Sequence, residues 1–229
     1  MNLTVLIPVY NEVATIRRVI DRVREVDLGV KIEMEIVVVD DGSTDGTRDV
    51  LAGLPPGLAR VFLQPENRGK GAAVRKGIEE AAGDYLVIQD ADLEYDPDDI
   101  CRLLAPVLKG KAEVVYGSRF TGEHRNMFFL NWVGNKFLSF VTNALYNTTL
   151  SDMETGYKLF PTPLLKSIRL VSDRFTIEPE LTAKVLKRGV RIYEVPISYT
   201  GREKHEGKKI SWKDGFPALW ALVKYRFVD

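Results

Sequence analysis

Short runs of apolar, largely β-branched residues alternate with amphipathic stretches through the first 120 residues of the chain. The pattern predicts strands over residues 3–9, 34–40, 60–64, 84–90 and 112–119. It predicts helices over about 12–25, within 43–54 and 69–82, and over 97–108. Continuous apolar strands separated by helices are typical of a parallel sheet covered on both faces. The sequence therefore predicts an α/β fold with a mostly parallel central sheet.

Charge is balanced over the whole chain but unevenly distributed along it. The 229 residues carry 32 basic and 32 acidic side chains, with a hydrophobic content ordinary for a soluble globular protein. Residues 1–100 hold 20 Asp and Glu against 11 Lys and Arg, whereas residues 184–226 hold 11 Lys and Arg against 4 Asp and Glu. This asymmetry suggests a cation-binding site in the acidic N-terminal part and an anionic partner for the basic C-terminal part. Solvated helix faces explain the basic C-terminal part equally well.

Several classes of protein are disfavoured by what the sequence lacks. One cysteine, Cys101, excludes a disulfide framework and is expected to be a buried helix thiol. Two histidines are too few for a histidine-rich metal site. The N-terminus does not read as a signal peptide, and no run reaches the roughly 18 apolar residues that a membrane span needs. We expect a protein that is soluble or lies on a membrane surface.

The polar and glycine-rich segments of the first half follow the predicted strands. They read PVYNE, VVDDGSTDGT, QPENRGKG, QDADLE and GSRF. Ligands of open parallel sheets bind outside the carboxyl ends of the strands, so the fold would gather these segments at one ligand-binding edge. Neither G-x-G-x-x-G after the first strand nor G-x-x-x-x-G-K-[ST] is present, which argues against a dinucleotide site and a P-loop.

Asp90 and Asp92 are separated by one residue directly after a buried predicted strand. Two close carboxylates disfavour each other's ionised form, and a hard divalent cation such as Mg²⁺ or Mn²⁺ relieves that repulsion. The neighbouring Asp96, Asp98 and Asp99 are better explained as the capped, negatively charged start of the next helix. The sequence therefore predicts a metal ion at Asp90 and Asp92.

Five ordered motifs resemble the inverting family 2 glycosyltransferases of GT-A fold: VLIPVYNE, VVVDDGSTDGT, NRGKGAAVRKG, DADLEYDP and GSRF. Three later segments resemble the polyprenyl-phosphate hexose synthase branch, typified by dolichol-phosphate mannose synthase: SDMETGYKLF, EPELTAKVLKRGVRIYEVPISYTGR and KISWKDGF. The resemblance implies a single GT-A (nucleotide-diphospho-sugar transferase) domain over 1–229. Its nucleotide-sugar half would be 1–120 and its acceptor half 121–229.

The resemblance also implies roles for individual residues on the donor side. The nucleotide sugar would be bound by Pro8, Tyr10, Asn11, Glu12, Val39, Asp40, Asp41, Lys70, Asp90, Ala91 and Asp92. Asp90 and Asp92 would hold Mg²⁺ or Mn²⁺ on the diphosphate, which stabilises charge on the leaving group. Glu94 stands where the branch typically carries Gln and would be a third metal ligand.

On the acceptor side, a lipid monophosphate needs a cationic clamp more than a general base, because its second pKa near ~6 leaves it dianionic at neutral pH. Arg119, Arg125 and Arg202 fit such a clamp by position and, with Asp92, are the predicted catalytic residues. Lys208 and Lys209 are weaker candidates.

A hydroxyl acceptor would instead require a carboxylate base, for which Asp152 or Glu154 is the candidate.

Two aromatic stretches point to a membrane surface. Residues 126–147 and the C-terminal segment from 208 onward combine Trp and Phe with basic residues, which suits an amphipathic segment at lipid headgroup level. Packing in the core is an alternative for the first stretch. We expect peripheral contact with the cytoplasmic face of a membrane and no nucleic acid partner, because the acidic first half repels phosphate backbones.

Together these observations predict metal-dependent, inverting transfer of mannose or glucose from a GDP- or UDP-sugar to a polyprenyl or dolichyl phosphate. A family 2 enzyme acting on a glycan or soluble hydroxyl acceptor is the alternative. A non-catalytic nucleotide-sugar-binding protein is the rival of a different class, although it would have little use for the paired aspartates.

Overall fold

Seven strands form one sheet within the part of the chain that the structure describes. The structure, a computed structural model, describes residues 1–29, 32–202 and 215–228. The strands are β1 Asn2–Val9, β2 Glu33–Asp40, β3 Arg60–Leu63, β4 Tyr85–Ile88, β5 Val114–Ser118, β6 Lys158–Pro161 and β7 Ile192–Pro196. Their order across the sheet is β3-β2-β1-β4-β6-β5-β7.

The sheet is mostly parallel, as predicted, with one antiparallel strand. β1 pairs in parallel with β2 and β4, and the pairs β2–β3 and β5–β7 are also parallel. The short strand β6 lies antiparallel between β4 and β5. Neither β6 nor β7 was predicted. Because β6 and β7 come from the second half of the chain, residues 1–120 and 121–229 share one sheet.

Helices cover both faces of the sheet, which confirms the predicted α/β arrangement. They are α1 Ile16–Glu25, α2 Thr47–Ala52, α3 Lys70–Glu80, α4 Ile100–Leu108, α5 Phe129–Tyr146, α6 Thr162–Ser167, α7 Ile177–Lys187 and α8 Gly215–Phe227. Apolar residues of α1 and α4 pack on one face of the sheet, and those of α3, α6 and α7 pack on the other.

β1 shows why a strand at the centre of such a sheet is largely apolar. Val5 and Ile7 face the layer that contains α1 and α4, whereas Leu6 faces the layer that contains α3. Gly77 of α3 lies against Leu6, since a Cβ built at Gly77 would be 2.0 Å from Leu6 Cδ1. The missing side chain lets α3 approach the sheet closely.

Helices α5 and α8 pack against each other and leave apolar side chains on their outer surface. Leu138 and Leu222 belong to a small core between the two helices, and the Tyr146 hydroxyl donates to the Leu222 carbonyl over 2.7 Å. The outward side chains, here called the apolar face, are Phe129, Leu130, Phe137, Phe140, Phe216 and Trp220. Core packing is therefore wrong for the outward residues of the first aromatic stretch. Within the described ranges, no helix has the length and apolar character needed to cross a membrane.

The acidic residues after Asp92 form a helix start, as predicted. The Asp96 carboxylate accepts from the Asp98 amide over 3.0 Å and caps a 3₁₀ turn, Pro97–Asp99, that leads into α4. The Asp99 carboxylate accepts from the Ser198 amide over 2.6 Å, which ties this turn to the segment after β7. Cys101 is a half-buried residue of α4 whose Sγ lies 3.2 Å from the Asp27 carbonyl.

Candidate active site

A cavity of about 860 Å³ opens at the carboxyl ends of the central strands and extends between α5 and α8. Its polar end includes Tyr10, Glu12, Asp41, Lys70, Asp90, Asp92 and Glu94. Its lining from residues 128–138 and α8, here called the apolar end, includes Phe128, Leu130, Phe137, Phe216 and Leu219. Arg119, Arg125, Glu154, Glu178 and Arg202 also line the same cavity. The fold thus joins carboxylates, cations and apolar side chains around one space.

Of the residues predicted to bind a nucleotide sugar, Pro8, Tyr10, Glu12, Asp41, Lys70, Asp90, Ala91 and Asp92 line the cavity. The other three have their side chains elsewhere. Val39 is fully buried in the core on the α3 side of the sheet. Asn11 joins two loops, since its side-chain oxygen accepts from the Thr44 amide over 2.8 Å. Asp40 is fully buried, and its Oδ1 accepts from Arg48 Nε over 2.7 Å.

Asp41 shapes the loop that leads into α3. Its carboxylate accepts from the backbone amides of Arg68 and Gly69 over 2.9 and 2.7 Å. Burial raises the pKa of Asp41, although these two amides oppose the effect. Because Lys70 follows immediately, Asp41 helps to place the Lys70 ammonium in the cavity.

Two cations lie among the carboxylates that were predicted to hold a metal. Lys70 Nζ is 2.7 Å from Asp90 Oδ1 and 3.1 Å from Glu178 Oε1. The Arg202 guanidinium donates to both oxygens of Glu12 over 3.0 Å and to Asp92 Oδ2 over 3.0 Å. Each predicted aspartate ligand is therefore paired with a basic side chain of the same protein.

Glu94 is held by a different set of contacts. Its Oε1 accepts from the Arg202 amide over 2.8 Å, and its Oε2 accepts from the Tyr199 hydroxyl over 2.7 Å. No three His, Cys, Asp or Glu side chains of the described residues are grouped as a ready metal site. The predicted set of Asp90, Asp92 and Glu94 is not assembled: Asp90 pairs with Lys70, whereas Asp92 and Glu94 both pair with Arg202, whose Nε is 3.6 Å from Glu94 Oε1.

The charge balance nevertheless fits a divalent cation at Asp90 and Asp92. Burial first, and then the nearby charges of Asp90 and Glu94, raise the pKa of Asp92 to about 7 despite the opposing Arg202. Carboxylate repulsion therefore persists with both basic side chains in place, and all the donors are hard oxygens of the kind that Mg²⁺ and Mn²⁺ prefer. Asp90 and Asp92 would hold the ion, with Glu94 less accessible.

Gly156 provides the space for the Asp90 carboxylate. A Cβ at Gly156 would lie 2.5 Å from Asp90 Oδ2, while the Gly156 amide donates to the Tyr95 hydroxyl over 2.9 Å. We expect Gly156→Ala to displace Asp90 and to weaken Mn²⁺ binding by about 10- to 100-fold in calorimetric titration. Gly53→Ala is the control, since its Cβ would make only ordinary contacts of 3.5 Å and longer. Equal Mn²⁺ affinity of the two variants would contradict this role.

Arg119 and Asp152 form a buried, two-pronged ion pair beside the cavity. Arg119 Nε donates to Asp152 Oδ2 and Nη2 donates to Oδ1, each over 2.7 Å. Asp152 is fully buried, and the Arg119 guanidinium lies 5.3 Å from the centre of the Tyr199 ring. Because both Asp152 oxygens are bonded to the guanidinium, Asp152 is poorly placed to serve as a general base.

The three arginines predicted to clamp phosphate line one cavity but have different partners. Arg119 pairs with Asp152, and Arg202 pairs with Glu12 and Asp92. Arg125 is an exposed residue at the rim, and its amide donates to the Tyr199 carbonyl over 2.9 Å. Lys208 and Lys209 lie outside the described residues.

Glu154 has a buried oxygen on the cavity wall. Its Oε1 is shielded from solvent and has no hydrogen-bond partner among the described residues. Burial raises the pKa of Glu154 to about 7, a shift that Lys158 opposes and Glu178 reinforces. The carboxyl group is thus in a setting that favours its protonated form.

This shift predicts a pH effect on stability. The native state keeps the Glu154 proton up to about pH 7, whereas the unfolded chain releases it near the ordinary value of 4.5. The native state binds more protons between these values, so this group makes the free energy of unfolding fall as pH rises through that window. We expect Glu154→Gln to flatten this fall in urea denaturation across the window, and identical pH profiles for the two proteins would contradict it.

Sequence reasoning missed Glu178 and Tyr199 as site residues. Glu178 is buried on α7, bonds to the fully buried Lys158 and pairs with Lys70. The available signal was the acidic pair in EPEL, within a segment that is otherwise largely apolar, because buried carboxylates need cationic partners. Tyr199 carried no comparable signal, since its contacts with Glu94 and Arg119 are distant in sequence.

Comparison with known proteins identifies the family. Residues 4–168 match the family described as Glycosyl transferase family 2. The glycosyltransferase AglJ of Haloferax volcanii is 32% identical over 200 residues, which cover 86% of this chain and 63% of that protein. Agl6, a low-salt glycan biosynthesis hexosyltransferase of the same organism, is 28% identical over 236 residues, which cover 99% of this chain and 53% of Agl6. The chain thus spans less than two thirds of either relative.

A third relative matches over nearly its whole length. The UDP-N-acetylglucosamine–dolichyl-phosphate N-acetylglucosaminyltransferase of Methanococcus voltae is 28% identical over 239 residues, which cover 95% of this chain and 93% of that protein.

Solved structures share the fold at lower identity. Glucosyl-3-phosphoglycerate synthase of Mycobacterium tuberculosis superposes with a TM-score of 0.76 at 21% identity, covering 100% of this chain and 81% of that one. Mannosyl-3-phosphoglycerate synthase of Rubrobacter xylanophilus superposes with a TM-score of 0.77 at 19% identity, covering 98% of this chain and 72% of that one. With the family match over residues 4–168, the chain belongs to glycosyl transferase family 2 and has the GT-A fold.

Proposed function

We propose that this glycosyltransferase transfers a hexose, with inversion, from a nucleotide sugar to a polyprenyl phosphate in a reaction that requires Mg²⁺ or Mn²⁺. The observation that carries the proposal is the single cavity that joins the carboxylates at the strand ends to the apolar side chains of α5 and α8. A water-soluble acceptor has no need of that apolar end, whereas a polyprenyl chain does.

The donor would bind at the polar end. Asp90 and Asp92 would hold the metal ion, which supplies charge stabilisation to the departing nucleoside diphosphate. Lys70, held at 2.7 Å from Asp90, adds a second positive charge at the same place. Asp41 and Tyr10 border the part of the cavity that is left for the nucleoside.

The acceptor phosphate would bind between the two ends of the cavity. A phosphate monoester is already dianionic near neutral pH, so Arg119 and Arg125 would orient it without removing a proton. Arg119 is fixed by Asp152, and a guanidinium held in this way is ready to meet phosphate oxygens. Arg202 would join them on exchanging its carboxylate partners for phosphate.

The names of similar proteins support parts of this proposal. The Methanococcus voltae relative is named for a UDP-sugar donor and a dolichyl-phosphate acceptor. The Mycobacterium tuberculosis synthase has been solved with Mn²⁺ and UDP-glucose. The donors to be tested therefore include UDP-N-acetylglucosamine as well as GDP-mannose and UDP-glucose.

We also propose that the apolar face of α5 and α8 rests on the membrane that supplies the lipid, on its cytoplasmic side. Phe140 is 68% exposed and Trp220 is 67% exposed, while Phe137 and Phe216 of the same face line the cavity. A lipid would thus pass from the bilayer into the cavity along apolar side chains.

Phe140→Glu is expected to lower binding to anionic liposomes by about 10- to 100-fold in a sedimentation assay, because burying one Phe is worth about 1.5–3 kcal/mol. Leu63→Glu, at an exposed apolar residue of β3, is the control and should bind as the wild type does. Unchanged binding of the Phe140 variant would remove the support for this contact.

The alternative to a lipid phosphate is a hydroxyl acceptor, and the surroundings of Glu154 favour it. Its raised pKa and its buried oxygen are features of a general base. Both phosphoglycerate synthases with this fold are named for a water-soluble product. A binding protein without activity is the rival of a different class.

A matrix of donors and acceptors separates these possibilities. The three radiolabelled donors would each be offered to dolichyl phosphate, undecaprenyl phosphate and 3-phosphoglycerate, with Mg²⁺ or Mn²⁺. We expect product only with a lipid phosphate. Product confined to 3-phosphoglycerate would favour the hydroxyl alternative, and turnover of no donor under any condition would favour the binding protein.

A further inference from the structure

Glu154 stands two residues after Asp152, which binds Arg119, and two residues before Gly156, where a Cβ would lie 2.5 Å from Asp90 Oδ2. The charged groups that act on its carboxyl group include Arg119, which belongs to the acceptor end, and Glu178. Glu178 in turn pairs with Lys70, and Lys70 pairs with Asp90 at the donor end. The transferred sugar must occupy the space between the diphosphate and the acceptor phosphate. The transferred sugar, rather than either phosphate, is therefore the part of the ligand that best matches the place of Glu154.

The carboxyl groups of Glu178 and Glu154, both on the cavity wall, differ in the partners that their oxygens already have. Glu178 Oε2 accepts from Lys158, and its Oε1 is 3.1 Å from the Lys70 ammonium. Its charge is balanced by two lysines, which fix it in place. Neither Glu178 Oε1 nor Glu154 Oε1 has a hydrogen-bond partner within the described ranges, but Glu154 Oε1 also lacks the ion pair that Lys70 gives Glu178 Oε1.

A buried polar atom without a partner is unusual, because each one carries a desolvation cost that a hydrogen bond normally offsets. Glu154 lines the cavity and its Oε1 is shielded from solvent, so a ligand would bond to this oxygen after the carboxyl group rotates toward the cavity. A sugar hydroxyl both donates and accepts, and it matches a carboxyl group that stands beside Arg119 without being bonded to it.

We infer that Glu154 is a specificity-determining residue whose carboxyl group hydrogen-bonds one hydroxyl of the transferred sugar. The inference rests on the proposed function for its donor, a nucleotide sugar, but it does not depend on the acceptor. A site built around such a bond rejects a sugar that lacks the hydroxyl, because the buried carboxyl group then stays unpaired.

The test measures donor binding by calorimetry in the presence of Mn²⁺ and without acceptor. The best donor of the matrix is compared with its monodeoxy analogues and with the free nucleoside diphosphate, for the wild type, Glu154→Gln and Glu154→Ala. We expect the wild type to bind one deoxy analogue about 10- to 100-fold more weakly than the parent sugar. Glu154→Ala should bind the donor with the parent sugar more weakly than the wild type does, by the same factor. It should bind that deoxy analogue at least as tightly as the wild type does.

Two controls separate a sugar contact from general damage. All variants should bind the free nucleoside diphosphate as the wild type does, and Glu113→Gln, at an exposed carboxylate, should reproduce wild-type discrimination. Glu154→Gln, which keeps a polar side chain of the same size, should retain part of the discrimination. This partial retention is not expected if the site merely collapses.

The inference is overturned if wild type and Glu154→Ala discriminate equally among all the deoxy donors, or if the nucleoside diphosphate is lost together with the sugar. It is also overturned if Glu154→Gln stops transfer to a hydroxyl acceptor while donor affinity is unchanged, since Glu154 would then be a base. Failure of the lipid acceptor leaves the binding result standing, so the two proposals fail separately.

Discussion

Asp92→Asn is expected to lower the rate of sugar transfer by about 10²- to 10³-fold, the loss typical of removing one group that stabilises transition-state charge. The change removes one of the two aspartates proposed to hold the metal and also leaves Arg202 with one carboxylate fewer. The readout is transfer of radiolabel at saturating Mn²⁺. Before the assay, the variant and the wild type are brought to equal protein concentration, and their thermal stabilities are checked to be equal.

Asp98→Asn is the matched control, because Asp98 lies six residues away on the exposed side of the helix start. It should keep nearly full activity. If Asp92→Asn were as active as Asp98→Asn, or if a chelator left wild-type transfer unchanged, the proposed metal site would be wrong.

Asp152→Asn is expected to lower the free energy of unfolding by about 3–5 kcal/mol, the cost of leaving a buried charge without its partner. Arg119 would keep its charge beside a neutral amide, with Asp152 fully buried in the native protein. Urea denaturation followed by circular dichroism measures the change.

Asp21→Asn provides the comparison for an exposed pair. Arg17 and Asp21 are 2.8 Å apart but 48% and 41% exposed, so losing that pair should cost no more than about 1 kcal/mol. The double variant Arg119→Met with Asp152→Leu should recover much of the lost stability, since an apolar pair replaces a buried ion pair, while transfer stays low. A small effect of Asp152→Asn would show that the pair is not desolvated.

The sheet could be predicted because its signal is local. The β1 run is apolar except for Asn2 and the buried Thr4, since helices cover both faces, and the same reasoning placed four other strands within a few residues of their observed ends. β6 was missed because it has only four residues and begins with Lys158, a charge that reads as surface. That lysine is fully buried only because Glu178, twenty residues later, is folded against it.

The candidate site was predictable in position but not in its pairings. Strand ends placed Asp90 and Asp92 on the cavity, yet nothing local in the sequence indicates that Arg202 reaches Glu12 and Asp92 across more than a hundred residues. Val39 shows the converse limit. It adjoins polar residues in sequence, but the pleat of β2 turns its side chain into the core.

The most direct test of the lipid acceptor is the phase in which the labelled sugar is recovered. Purified protein would be incubated with a radiolabelled nucleotide sugar, polyprenyl phosphate and Mn²⁺, and the mixture partitioned between organic solvent and water. The account predicts label in the organic phase for the wild type, far less with Asp92→Asn, and none without polyprenyl phosphate. Label transferred to acceptor but found only in the aqueous phase would contradict it.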